Sequence, residues 1–144
     1  YEKHFPDGPG YTRFLITSYW RTFSPPPQDV PLALCDGRTS FGGEEKSNTL
    51  FIVDEFPEGD ALTAPVEGEE DMLAASIFSY NPDHRWWYFS NMQADDILLF
   101  KFHDSDHSRT WRCPHSAFVD SSVPGTHIRE SIECRSIAFW ENEA

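Results

Sequence analysis

The residues best equipped for chemistry lie between two apolar, β-forming runs at 97–102 and 132–140. Four of the six histidines (His103, His107, His115, His127) fall there, interleaved with Asp104, Asp106, Arg109, Arg112 and Arg129. Set in the mouth of a β-barrel, such a group would hold a metal ion or a small anion. The same composition also makes an ordinary solvated loop. His103-Asp104-Ser105-Asp106-His107 has the look of a metal-binding turn. Neighbouring residues on a strand face opposite ways, however, so His103 or Asp104 could join a site, but hardly both. His115 follows Pro114 at the head of the apolar run HSAF. A lone histidine there is more often a hydrogen-bonded strand-end residue than a ligand.

The cations add a second kind of chemistry. Alternation along the first run predicts that Lys101 and His103 share a face with Ile97 and Leu99, opposite Leu98, Phe100 and Phe102. A lysine in so apolar a strand reaches water or an anion. Along 129–140 the odd positions, Arg129, Ser131, Glu133 and Arg135, are polar before Ile137 and Phe139 turn apolar. The even positions, from Ile132 and Cys134 to Trp140, are expected to be the packing face over most of the strand. A doubly cationic face is usually solvated. It also suits a barrel that grips a dicarboxylate, because an arginine fork meets a carboxylate with two parallel hydrogen bonds.

These residues need a framework to position them. At 144 residues the chain is expected to form one domain with a proper core. A net charge of −13 argues against nucleic acid and anionic lipid surfaces as partners, since both require a basic face. It leaves room for a local basic group that captures a small carboxylate. No apolar run approaches the roughly eighteen residues that cross a bilayer. No secretory leader opens the stretch, and the start at Tyr1 leads us to expect residues upstream. Cys35, Cys113 and Cys134 have no zinc-like spacing and cannot all pair, which fits reduced thiols in the cytoplasm. Cys134 is expected in the core.

Taken in order, residues 1–11 form a Pro/Gly-punctuated loop and 13–20 (RFLITSYW) a strand. Three prolines in 24–28 make a polyproline-like crossing, because proline gives no N–H to a ladder. Short strands are expected at 31–35 and 49–53, with a turn region at 36–46. Residues 54–71 carry eight acids and no base, a long exposed loop or lid. Two strands, 73–80 and 85–89, flank the turn Asn81-Pro82-Asp83, and 93–96 is a tight connection. Helical periodicity is absent apart from one turn's worth near 70–75. The pattern is all-β with few or no helices, and a jelly roll is its natural two-sheet form.

Three ordered segments carry a family resemblance: YWRTFSPPPQDVPLALCDGR (19–38), WWYFSNMQADDILLFKFHDSD (86–106) and CPHSAFVD with RESIECRSIAFW (113–140). The chain resembles the hydroxylase/desaturase family of secondary metabolism, which includes the cephamycin 7-alpha-methoxylase hydroxylase component and fungal gibberellin desaturase. The resemblance implies a double-stranded β-helix that uses Fe(II) and 2-oxoglutarate to oxidise a small-molecule substrate. Iron would sit on two histidines and one carboxylate, with open positions for cosubstrate and O₂. By motif His115 would be the distal histidine ligand. Arg129 or Arg135 would grip the far carboxylate of 2-oxoglutarate, with Lys101 a weaker candidate, and Trp86, Trp87 and Tyr88 would line the substrate side or serve as core aromatics.

One departure stands against these agreements. The family's proximal ligands come from a His-x-Asp motif upstream of the WR…PPPQD segment, and no histidine here has an acid two residues on. Either those ligands precede Tyr1, or the chain has given up iron and is a metal-free jelly-roll protein that binds a ligand or partner. A third arrangement would recruit His103 or Asp104 beside His115.

Overall fold

The structure, a computed structural model, describes residues 1–40, 45–49, 55, 57–62, 64 and 74–142. They form eight strands: β1 (Tyr11–Thr22), β2 (Leu32–Cys35), β3 (Glu45–Thr49), β4 (Ala74–Phe78), β5 (Trp86–Tyr88), β6 (Leu98–Asp104), β7 (His115–Ala117) and β8 (Ser131–Glu141). One 3-10 turn, Gly59–Leu62, is the only helical element among the described residues. The all-β reading of the sequence therefore holds.

The chain divides into two compact units, one of Tyr1–Ser40 with Asp83–Ala144 and one of Phe41–Pro82. In the smaller unit β3 and β4 pair antiparallel, Glu45 opposite Phe78 through Thr49 opposite Ala74. Several expectations are corrected here. The turn region at 36–46 ends early, since Glu45 and Lys46 already belong to β3, and the turn at 70–75 gives way to strand at Ala74 and Ala75. Residues 50–53 of the expected strand, 70–73, and most of the acidic stretch lie outside the described residues. The runs at 73–80 and 85–89 do form strands, β4 and β5, of which β4 pairs with β3 and β5 with β2.

The larger unit carries two three-stranded antiparallel sheets, β6–β1–β8 and β5–β2–β7. β1 is central because its sequence alternates small polar and aromatic residues: Ser18, Trp20 and Thr22 are buried, while Tyr19 is exposed. The buried hydroxyls are satisfied locally. Ser18 donates to Glu133 at 2.6 Å, and Thr22 to the Ser24 carbonyl at 3.1 Å. Trp20, Met92 and Phe100 form the core, and Leu32, Leu34, Leu98 and Cys113 pack against it. Since Leu32 and Leu34 come from the other sheet, the core is the inner space of a two-layer sandwich.

Register shows which residues share that space. Trp20 lies opposite Leu98 and Glu133, and Ser18 opposite Phe100 and Arg135, so these six side chains share the inner face. This reverses the expectation for β8: its odd positions face Trp20, and Cys134, expected in the core, is exposed on the other face. The face assignment of β6 is also corrected. A bulge makes Thr17 pair with Lys101 but Ile16 with His103, so Phe102 is the extra residue. Beyond it the alternation slips by one. His103 joins the Phe100 side, and Asp104 joins Lys101 on the outer side.

Candidate functional site

His115 opens β7 and pairs with Leu34, whose side chain packs on the core, so its ring enters the inner space. There it lies 4.8 Å from the Phe100 ring and 5.9 Å from the Phe102 ring, centroid to centroid. Its Nδ1 is 2.9 Å from the Cys113 carbonyl oxygen. A carbonyl only accepts, so Nδ1 carries a proton, and in the neutral ring Nε2 holds the lone pair. That is the tautomer and the backbone brace characteristic of metal-binding histidines. Pro114 between the two residues sets up this contact, a signal visible in the sequence as Cys-Pro-His.

The two arginines of the last segment have different surroundings. Arg135 stands over Phe102, its guanidinium carbon 4.0 Å from the ring centroid, and its Nε meets Glu133 at 2.9 Å. It therefore flanks the aromatic plate that His115 touches. Burial pushes the Glu133 carboxyl up, but hydrogen bonds from Ser18 and Arg135 outweigh that and hold it below the ordinary range. His115 adds to the same effect.

Arg129 is positioned by the proline crossing. Asp29 N–H donates to the His127 carbonyl, His127 N–H to the Pro27 carbonyl, and Phe23 N–H to the Glu130 carbonyl. Asp29 accepts the Arg129 N–H at 2.9 Å, and the Val30 carbonyl accepts Arg129 Nη1 at 2.7 Å. Residues 23–30 thus act as a splint for 127–130, a role that the proline count alone did not reveal. The Arg129 guanidinium lies 5.7 Å from the Trp20 ring, at the margin of the core. Its Nε is buried without a hydrogen-bond partner among the described residues. A buried donor of a permanent cation left open is costly, and a carboxylate would close it.

Three other candidates lie elsewhere. Asp104 is fully buried, and its oxygens accept from Arg13 Nε and Nη2, Lys101 Nζ and the Asp106 N–H at 2.7–3.0 Å. The hydrogen bond from Arg13, opposed by burial but joined by Lys101, holds this carboxyl far below its usual range. Lys101 Nζ also donates to the Thr110 carbonyl at 2.7 Å. Both residues face outward from the sheet, away from His115, with their polar atoms engaged. His103 is on the inner side but stacks on Phe14 at 5.4 Å and meets Trp111 and His107 edge-on. Neither His103 nor Asp104 is brought into contact with His115. Among the described residues, no three His, Cys, Asp or Glu side chains gather as a metal cage.

The aromatic triplet is split by the pleat. Trp87 pairs with Leu34 and so shares the face of His115, whereas Trp86 and Tyr88 pair with Cys35 and Ala33 on the other face. Together with Phe118, Ala33 and Ser116 they line an open cavity of about 380 Å³.

A family model described as oxidoreductase/YMDC permease-like domain matches residues 3–139, and the chain belongs to that family. No helix of the described residues is long and apolar enough to cross a membrane. Among curated proteins the chain is 35% identical over 135 residues to the hydroxylase/desaturase efuI of Hormonema carpetanum, covering 93% of this chain and 43% of that protein. It is 36% identical over 136 residues to the hydroxylase/desaturase asaB of Aspergillus flavus, covering 92% and 58%. Of solved structures, the iron and alpha-ketoglutarate-dependent endoperoxidase NvfI superposes with a TM-score of 0.69 at 26% identity, over 91% of this chain and 43% of that one. The chain spans about half the length of the curated relatives it matches. The resemblance seen in the sequence and the jelly-roll fold class both stand on these likenesses.

Proposed function

We propose that this chain is part of a non-haem Fe(II)/2-oxoglutarate oxygenase, a hydroxylase or desaturase of a small secondary metabolite. The observation that carries the reading is His115: an imidazole braced through Nδ1 against the Cys113 carbonyl and set beside Phe100 and Phe102 in the inter-sheet space. The donor set fits the group in part. His115 supplies one histidine of a two-histidine, one-carboxylate site, and the two remaining ligands must come from outside the described residues. When bound, iron with 2-oxoglutarate and O₂ supplies the oxidising power that removes hydrogen from an unactivated carbon.

The chain's own contribution is binding and orientation. Of the two arginines, Arg129 better fits the far carboxylate of 2-oxoglutarate, because its buried Nε is open while that of Arg135 is engaged by Glu133. Arg135 instead holds Phe102 against His115, and Phe100 and Phe102 keep water from the imidazole. Trp87, on the face of His115, is the member of the aromatic triplet placed to meet substrate. Three free cysteines, with burial pushing the Cys113 thiol up to about 11, suit a reducing compartment such as the cytoplasm.

Calorimetry on the protein extended to the length of its relatives tests this. 2-Oxoglutarate should bind at least about tenfold more tightly with Fe(II) present, since the metal adds a second anchor for the keto acid. Binding indifferent to metal would favour the alternative of a metal-free ligand-binding jelly roll. That reading rests on the missing His-x-Asp pattern.

A further inference from the structure

The cavity at the β5–β2–β7 sheet is lined by neither His115 nor the arginines. Its walls are Trp86, Trp87, Tyr88 and Phe118, with Ala33 and Ser116 at its base, and no basic residue lines it. Tyr88 and Phe118 meet edge to face at 4.9 Å and 79°, which sets two ring planes nearly at right angles. The Tyr88 hydroxyl donates to Asp120 Oδ2 at 3.3 Å, which brings one carboxylate to the rim. Asp120 Oδ1 is held by the Ser122 N–H and hydroxyl. These bonds keep its carboxyl below the ordinary range, so it is an anion at neutral pH.

We propose that this cavity is a second ligand site, specific for an organic cation that carries an alkylated ammonium head. Charge complementarity selects that occupant. Aromatic faces are negative and attract a cation that sheds its water readily, while a neutral apolar ligand gains nothing from the carboxylate. Tyr88 and Phe118 cross at 79°, so a compact round head meets both rings at once, whereas a flat ligand stacks on only one. At about 380 Å³ the cavity accommodates such a head and a short apolar body. The chain's charge of −13 draws cations to it from a distance.

The test compares choline with 3,3-dimethylbutan-1-ol, its neutral isostere, followed through the indole N–H resonances of Trp86 and Trp87. Choline should bind saturably, with the isostere about tenfold weaker or more, since each aromatic face is worth roughly two- to thirtyfold for a cation. Trp86→Ala should weaken choline about tenfold, and Asp120→Asn about threefold by removing the rim charge. Should Trp86→Ala fail to fold, Asp120→Asn decides the matter alone, as it keeps every ring. Equal binding of the two compounds, absence of saturable binding, or indifference to Asp120→Asn would each overturn the proposal.

Discussion

The two faces of the β6–β1–β8 sheet use the same residue types in opposite ways. On the outer face a buried carboxylate, Asp104, is met by Arg13, Lys101 and the Asp106 N–H, and Lys101 is further tied to Thr110. Every strong acceptor position is filled, so the cluster has no valence for a ligand. On the inner face His115 is braced through Nδ1, and Arg129 has a buried Nε without a hydrogen-bond partner among the described residues. A closed cluster holds two strands together, whereas an open one has something left to offer. The contrast separates fully engaged charges from those with a donor to spare more sharply than residue type does.

Breaking the closed face should have the largest effect on stability. Asp104→Ala leaves Arg13 and Lys101 facing an empty buried site, and removing one partner of such a pair costs about 3–5 kcal/mol. Urea unfolding measures it. The linkage sign follows from the direction of the shift. The Asp104 carboxyl is held below its unfolded value of about 4, so its stabilisation is complete above that pH and fades as pH falls further. Asp104→Asn should lower stability at pH 7 and flatten its decline between about pH 4 and 2. An unchanged acid limb would mean that Asp104 is not the group that titrates.

Breaking the open face should cost function rather than fold. His115→Ala should reduce iron affinity by more than about a hundredfold, since even residues that merely support a ligand cost ten- to a hundredfold. Its unfolding midpoint should stay close to that of the parent. Next in size, Arg129→Gln should weaken 2-oxoglutarate about ten- to a hundredfold through loss of a charge-assisted hydrogen bond, measured by calorimetry. Arg135→Gln should weaken it by less than about fivefold, because that guanidinium already serves Glu133 and Phe102. If Arg135→Gln proves the more damaging, the assignment of the two arginines is reversed.

The sequence revealed the strands better than it revealed their faces. β-Branched and aromatic runs marked β1, β2, β6 and β8 to within a few residues, because such side chains fit a pleated, half-buried surface. The bulge at Phe102 was not legible: one inserted residue leaves no compositional trace, yet it moves Asp104 to the side of Lys101 and His103 away from it. For the same reason the odd face of β8 read as solvent, although Ser18 and Phe102 give Glu133 and Arg135 inner-face partners. The Cys-Pro-His run marked His115 as the head of a strand, and β7 begins there. Arg129 could not be told from Arg135, because what distinguishes them is a splint of backbone hydrogen bonds about a hundred residues away in sequence.

The central claim is that His115 carries the metal on the inner face. Diffraction at the iron edge, from crystals of the protein at its relatives' length grown with Fe(II) under anaerobic conditions, tests it most directly. The account predicts an anomalous peak within coordination distance of His115 Nε2, with Arg129 turned to the same space. A peak at His103 and His107 instead, or none at all in the protein at its relatives' length, would contradict it.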